Sequence, residues 1–309
     1  MVSLLRQPAT VLLDSASYPS HGTMAPVLLW TPLLLSLMAA PNFLWGAPRL
    51  DIEYGRAGDV SLRMDAHIPE GKGPFPAVVL VHGGAWVTGD RFQNMAPLFV
   101  PLTKAGFACF TISYRFATDP LLFGAAIEDV RAAVRYLKDH ADEFHVDAKR
   151  IALLGESAGA QLASMAVLGD SKLPVRALVA FYSPSDLASL ARTSRQVPES
   201  LRQVFSGGGL GELLLWRLRE LSPVNHVNGK MPPFLLLHGT ADTVVPYEQS
   251  VEMCEKVRST GGSCELYTVQ GGGHSLRGWE RSKAQSAYRS HMIDWLSTRL
   301  AAQKPYHSE

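Results

Sequence analysis

The sequence predicts an α/β fold, a mostly parallel eight-stranded sheet with helices on both faces. Three observations carry this. Short apolar runs alternate with longer stretches of helical period along most of the chain. The inner runs, such as Ala77-Val78-Val79-Leu80-Val81, are continuously apolar, as strands covered on both faces must be. The 309 residues, 47% of them hydrophobic, are enough to bury one large core.

In chain order, residues 1–48 are expected to form a leader outside that core. Ala25 to Ala40 is almost wholly apolar and is followed by Pro41 and Trp45-Gly46-Ala47, the pattern of a secretory signal and its cleavage zone. Met24 directly precedes it and is the expected start. The alternatives are a disordered or packed extension, or an uncleaved anchor that Pro26 and Pro32 would interrupt. Export to the periplasm or the medium is therefore expected, with a cytoplasmic location as the alternative and membrane anchoring not expected.

The folded domain is expected over residues 49–303, with a tail at 304–309. Arg49–Tyr54 and Val60–Ile68 lie close together and read as an antiparallel pair at a sheet edge. Pro76–His82, Phe107–Ser113, Arg150–Leu154, Val175–Tyr182, Phe234–His238 and Cys264–Val269 supply six more strands. Ala125–His140 shows helical spacing at Ile127, Val130, Val134 and Leu137, and Gln161–Leu168 and the run around Met292 and Leu296 are also helical, within about six helices in all. Residues 183–231 are longer than an ordinary connection and are expected to form a cap over one end of the sheet. There, Ser206-Gly207-Gly208-Gly209 reads as a hinge. After it Leu210, Leu213, Leu214, Leu218 and Leu221 recur at helical spacing, and Leu215 and Trp216 widen the apolar face. Such a helix is expected to bury this face, either lining a pocket or packing on the sheet.

Composition removes several function classes. Lys+Arg at 29 against Asp+Glu at 28 leaves a formal charge of +1, with no basic run to track a phosphate backbone, so no nucleic-acid partner is expected. No segment recurs at a repeat period. Cys109, Cys254 and Cys264 lack metal-site spacing, and neither metal nor cofactor is expected. Cys254 and Cys264 fall on a helix and the strand after it, and their pairing depends on a distance that spacing does not give.

The chemistry-bearing motifs sit at strand ends. Gly155-Glu156-Ser157-Ala158-Gly159 fits G-x-S-x-G directly after one strand and before one helix. A serine on so tight a turn is held strained with its hydroxyl exposed, and Ser157 is the expected nucleophile. His82-Gly83-Gly84-Ala85-Trp86 follows another buried strand and matches an HGGG-type loop. The N–H groups of Gly84 and Ala85, with Gly83 permitting the turn, would join that of Ala158 around an oxyanion. Behind such an elbow the acid and then the base follow in chain order. Of ten histidines, His274 in Gly271-Gly272-Gly273-His274-Ser275 is the one placed late enough on a loop after a strand. Asp242, on the loop after the penultimate strand, is the expected acid, and Asp186 its rival one strand earlier. Trp86, Trp216, Val245 and Leu276 are expected around the substrate, although Trp86 could equally pack into the core.

With these residues assembled, the chain resembles an α/β-hydrolase of the carboxylesterase and lipase type. It is most similar to bacterial esterases of the BD-FAE and hormone-sensitive-lipase-like group. The resemblance spans roughly residues 49–300 and rests on the loops carrying His82–Trp86, Gly155–Gly159, His238–Asp242 and Gly273-His274. The chain departs from the hormone-sensitive-lipase pattern at Ala85, where a third glycine is usual. The resemblance implies a serine carboxylic ester hydrolase working through an acyl-enzyme on short acyl esters, without cofactor. The alternatives are an amidase or peptidase of the same fold, an esterase acting on acetyl or feruloyl groups of polysaccharides, or a binding protein without catalysis. Dehalogenase and epoxide-hydrolase chemistry would place an aspartate on the elbow.

Overall fold

The computed structural model describes residues 48–302, apart from 94, 118–122, 195–198 and 207. The leader with its signal pattern and Met24, Gly207 of the hinge, and the tail at 304–309 lie outside the described residues. Eight strands form one sheet: β1 (Arg49–Ala57), β2 (Val60–His67), β3 (Phe75–Val81), β4 (Ala108–Ile112), β5 (Val146–Glu156), β6 (Ala177–Phe181), β7 (Phe234–Gly239) and β8 (Cys264–Val269). Their order is β1-β2-β4-β3-β5-β6-β7-β8. β1 and β2 pair antiparallel, as does β2 with β4, and every later pairing is parallel. All eight strands lie where the sequence places them, within a few residues at their ends.

The continuous apolar runs divide between two cores. Ala77, Val79 and Val81 of β3 face one core with Ile151 and Leu153 of β5, while Val78 and Leu80 face the other with Ala152 and Leu154. Side chains alternate across the pleat, so only a strand apolar at every position can seal both faces. The first core is closed by α2 (Phe123–Asp139), α3 (Ala158–Leu168) and α7 (Glu248–Ser259). The second is closed by α1 (Ala96–Lys104), the short α8 (Leu276–Trp279) and α9 (Tyr288–Arg299). The helical reading misses α1 because Pro97 and Pro101 interrupt its pattern. Pro97 sits in the first turn, where no N–H is needed, and Pro101 is borne inside a helix that buries Leu98, Phe99 and Leu102.

This topology places the site. β3 lies between β4 and β5, so the chain leaves the end of β3 toward the α1 face and the end of β5 toward the α3 face. A crevice opens between two such departures at the carboxyl ends of the strands, where open α/β sheets bind ligands.

Residues 183–231 are expected as a cap whose leucine helix lines a pocket or packs on the sheet. They form α4 (Leu187–Thr193), α5 (Glu199–Ser206), α6 (Leu210–Glu220) and a 3₁₀ turn at Pro223–Asn225. Gln161 of α3 donates to the Leu221 carbonyl at 2.7 Å, and the Gln249 side chain accepts from the N–H groups of Ser185 and Asp186, anchoring the base of the segment to α3 and α7. The leucine stripe does not bury its whole face. Leu215 and Leu221 are buried, whereas Leu210, Leu213 and Trp216 are 64%, 60% and 54% exposed. The buried Leu215 faces inward, and the residues on the opposite side of this helix turn are left in solvent. Among the described residues no helix is long and apolar enough to cross a membrane.

Candidate active site

Ser157 sits between the end of β5 and the start of α3 with φ 51° and ψ −121°, a left-handed conformation that costs a non-glycine residue roughly 1–3 kcal/mol. Its N–H donates to the Phe181 carbonyl at 2.9 Å, which ties the turn to the end of β6. The flanking glycines are required by space. A Cβ on Gly155 would lie 2.5 Å from the Gly159 carbonyl oxygen, and one on Gly159 would lie 2.2 Å from that of Val81. The backbone of α3 can therefore pass directly over the end of β3 and carry the serine hydroxyl into the crevice.

Three side chains meet there from three loops. His274, on the loop after β8, places Nε2 2.9 Å from Ser157 Oγ and Nδ1 2.7 Å from Asp242 Oδ2. A carboxylate only accepts, so Nδ1 carries the proton and Nε2 is left to accept from the serine hydroxyl. Asp242, on the loop after β7, has a fully buried carboxylate. Its Oδ1 accepts from the N–H groups of Val244 and Val245 at 2.8 and 2.9 Å. Burial alone would raise its pKa, but hydrogen bonds from His238 and His274 together with the backbone donor of Val245 outweigh this and hold it well below the usual carboxylate range. Asp186, the rival acid, is engaged elsewhere: its carboxylate caps α4 by accepting from Ser189 N–H at 2.9 Å.

The His82–Trp86 loop follows β3, and Gly83, Gly84 and Ala85 line a cavity of about 490 Å³ that also contains Ser157, His274 and Leu276. Gly83 N–H is occupied by Glu156 Oε1 at 3.3 Å. The N–H groups of Gly84 and Ala85 are not spent on a backbone carbonyl among the described residues, and Ala85 and Trp86 hold φ of 49° and 63°. Ala158 is the first residue of α3, where a helix leaves its N–H without an intrahelical acceptor. His82 is buried and structural: its Nδ1 donates to the Gly83 carbonyl at 2.7 Å, its ring stacks on Tyr114, and burial lowers its pKa.

Three of the four residues expected around the substrate stand differently. Leu276 lines the cavity. Trp86 turns away from it, donating Nε1–H to Gln161 Oε1 at 2.9 Å and packing against Phe123 on the first core. Val245 is buried behind the Asp242 turn, where its carbonyl accepts from His238 at 3.0 Å, and its neighbour Val244 faces the cavity in its place. Trp216 is carried on the exposed face of α6, and no described residue of 183–231 lines the cavity.

Sequence reasoning missed the groups that hold this arrangement. Tyr182, fully buried at the end of β6 with φ 35°, donates its hydroxyl to Glu156 Oε2 at 2.5 Å and accepts from Leu276 N–H at 3.1 Å. Its ring lies 4.4 Å from that of His274. Trp279 donates to the Gly273 carbonyl at 2.7 Å, fixing the residue before His274. His238 faces the Val245 carbonyl through Nε2, which must therefore carry the proton, and the same nitrogen lies 3.3 Å from Asp242 Oδ2. An aromatic or imidazole at a strand's carboxyl end was the available signal. Among the described residues no cluster of three His, Cys, Asp or Glu side chains is arranged to hold a metal ion.

The BD-FAE family model matches residues 64–257. The "Probable carboxylic ester hydrolase LipM" of Mycobacterium tuberculosis is 30% identical over 70% of this chain and 52% of its own length. Esterase LipC of the same organism is 31% identical over 66% of this chain and 53% of its own length. The chain thus spans about half the length of these two relatives. Among solved structures, a truncated carbohydrate esterase from gut microbiota superposes with a TM-score of 0.70 at 25% identity, covering 84% of this chain and 99% of that one.

Proposed function

The chain belongs to the BD-FAE family of α/β-hydrolases, and from that membership we propose that it hydrolyses carboxylic esters with Ser157 as nucleophile, His274 as general base and acid, and Asp242 as the carboxylate that orients it. The observation that carries this reading is the continuous chain Ser157 Oγ, His274 Nε2, His274 Nδ1, Asp242 Oδ2, with both links under 3 Å and the serine facing the cavity. Ser157 Oγ attacks the ester carbonyl carbon as His274 Nε2 takes its proton, and Asp242 stabilises the resulting imidazolium. The carbonyl oxygen becomes an oxyanion that accepts hydrogen bonds from the N–H groups of Gly84, Ala85 and Ala158. Collapse breaks the bond to the alcohol, which leaves with the proton from His274. Water then attacks the acyl-enzyme, gives its proton to His274, and releases the acid as that proton returns to Ser157. Every proton in this sequence has a protein carrier, so the cycle asks for no metal or cofactor.

The cavity, in the lower half of the range of ligand-site volumes, is compatible with short acyl groups of about two to six carbons. Esters carried on carbohydrate are a second reading, supported by the likeness to the gut carbohydrate esterase. The disulfide joining Cys254 and Cys264 supports export to an oxidising compartment. The deciding experiment is hydrolysis of p-nitrophenyl acetate by the parent and Ser157→Ala, with folding checked by circular dichroism. Loss of turnover with an intact spectrum is expected. Undiminished turnover in the variant, or its abolition in the parent by a chelator, would overturn the mechanism.

A further inference from the structure

Among the described residues, the wall of the cavity carries one cation with no carboxylate within ion-pair distance. Arg277, an exposed residue, lines it three residues past His274, and its Nη2 donates to the Gln93 carbonyl at 2.7 Å. A carbonyl takes one of the five N–H donors and brings no counter-charge. Arg277 faces no carboxylate within ion-pair distance among the described residues, and of the described residues lining the cavity it is the one lysine or arginine. Glu156, the carboxylate in the same wall, is turned onto Gly83 N–H and the Tyr182 hydroxyl. The residues between His274 and Arg277 are Ser275 and the apolar Leu276, both on the wall.

We propose that Arg277 binds an anionic group on the substrate, and that the preferred substrates are esters whose leaving alcohol carries a carboxylate. The inference rests on the ester-hydrolase reading and deepens it. His274 hands its proton to the departing oxygen, so the wall that continues from His274 flanks the alcohol portion. Leu276 then covers the carbon skeleton of that alcohol, and Arg277 meets its charge. A guanidinium matches a carboxylate with two parallel N–H donors, which adds orientation to attraction.

The test compares 4-acetoxybenzoate with its uncharged methyl ester in the parent, Arg277→Gln and Arg277→Lys. Comparing the ratio of kcat/KM for the two substrates between proteins cancels their different leaving-group strengths. Arg277→Gln is expected to lower kcat/KM for the anionic ester about tenfold and to leave the methyl ester within about twofold, with Arg277→Lys restoring part of the loss. Equal losses on both esters, or none on either, would overturn the proposal. A second arm does not depend on turnover: calorimetric binding of 4-hydroxybenzoate to Ser157→Ala with and without Arg277→Gln. Binding that requires Arg277 sustains the anion subsite even if the parent hydrolyses no ester. Binding indifferent to Arg277, or no binding in either protein, removes it.

Discussion

Replacing Tyr182 by phenylalanine deletes one oxygen and keeps the ring. That oxygen donates to Glu156 Oε2 at 2.5 Å and accepts from Leu276 N–H at 3.1 Å in a fully buried position. The substitution deletes two hydrogen bonds in a buried setting, at roughly 1–3 kcal/mol apiece, so a loss of about 3 kcal/mol is expected. For a domain of this size that lowers Tm by roughly 6–12 °C, readable by urea and thermal melts. Leu276 lies two residues past His274, and freeing its N–H loosens the loop that aims the imidazole. The variant should therefore lose about tenfold in kcat at nearly constant KM, as expected when a reacting group is misplaced by a fraction of an ångström. Tyr182→Leu also removes the ring contacts with His274 and Trp279 and should cost more than Tyr182→Phe. A Tyr182→Phe protein within about 0.5 kcal/mol of the parent and fully active would refute the view that this hydroxyl holds the site together.

Three further outcomes are expected. Ser157→Gly removes the proposed nucleophile and also the strain of φ 51°, so the variant should gain about 1 kcal/mol of stability over Ser157→Ala, a comparison of urea midpoints that would fail if the two coincide. Reducing the Cys254–Cys264 disulfide, which bridges a sequence separation of 10, restores loop entropy to the unfolded chain and should cost about 3 kcal/mol; an unchanged Tm with reductant would contradict this. The folded state lowers the pKa of Asp242, so its stabilisation is fully present above the unfolded value near 4 and is lost as pH falls below that value. Urea midpoints measured from about pH 5 down to pH 2 should therefore fall more steeply in the parent than in Asp242→Asn, and parallel curves would count against this linkage.

Much of the site is local stereochemistry, and local stereochemistry is legible in sequence. The glycines around Ser157 are there because a Cβ at either would strike a carbonyl oxygen, so the elbow is written in five consecutive residues. The strands were legible for a similar reason. A strand sealed on both faces tolerates no polar position, and Val78 and Val79 must be apolar toward opposite cores. Chain order then restricted the late histidine and acid to a few positions, because each loop leaves a parallel sheet at the same end.

Contacts between loops distant in sequence were decided only by the folded chain. Asp186 and Asp242 are equivalent as letters after a strand. They diverge because one turns back to cap its own helix, while the other turns under His274. Cys254 and Cys264 pair because β8 runs beside the helix that precedes it, bringing their Cα atoms to 5.4 Å. Tyr182 and Arg277 carry no motif, and their roles arise from the register that brings the ends of β3, β5, β6 and β8 together. The apolar stripe of α6 misled for the complementary reason. Helical periodicity reports which side chains share a face, but what that face meets depends on neighbours the helix does not encode, and Leu213 and Trp216 meet water.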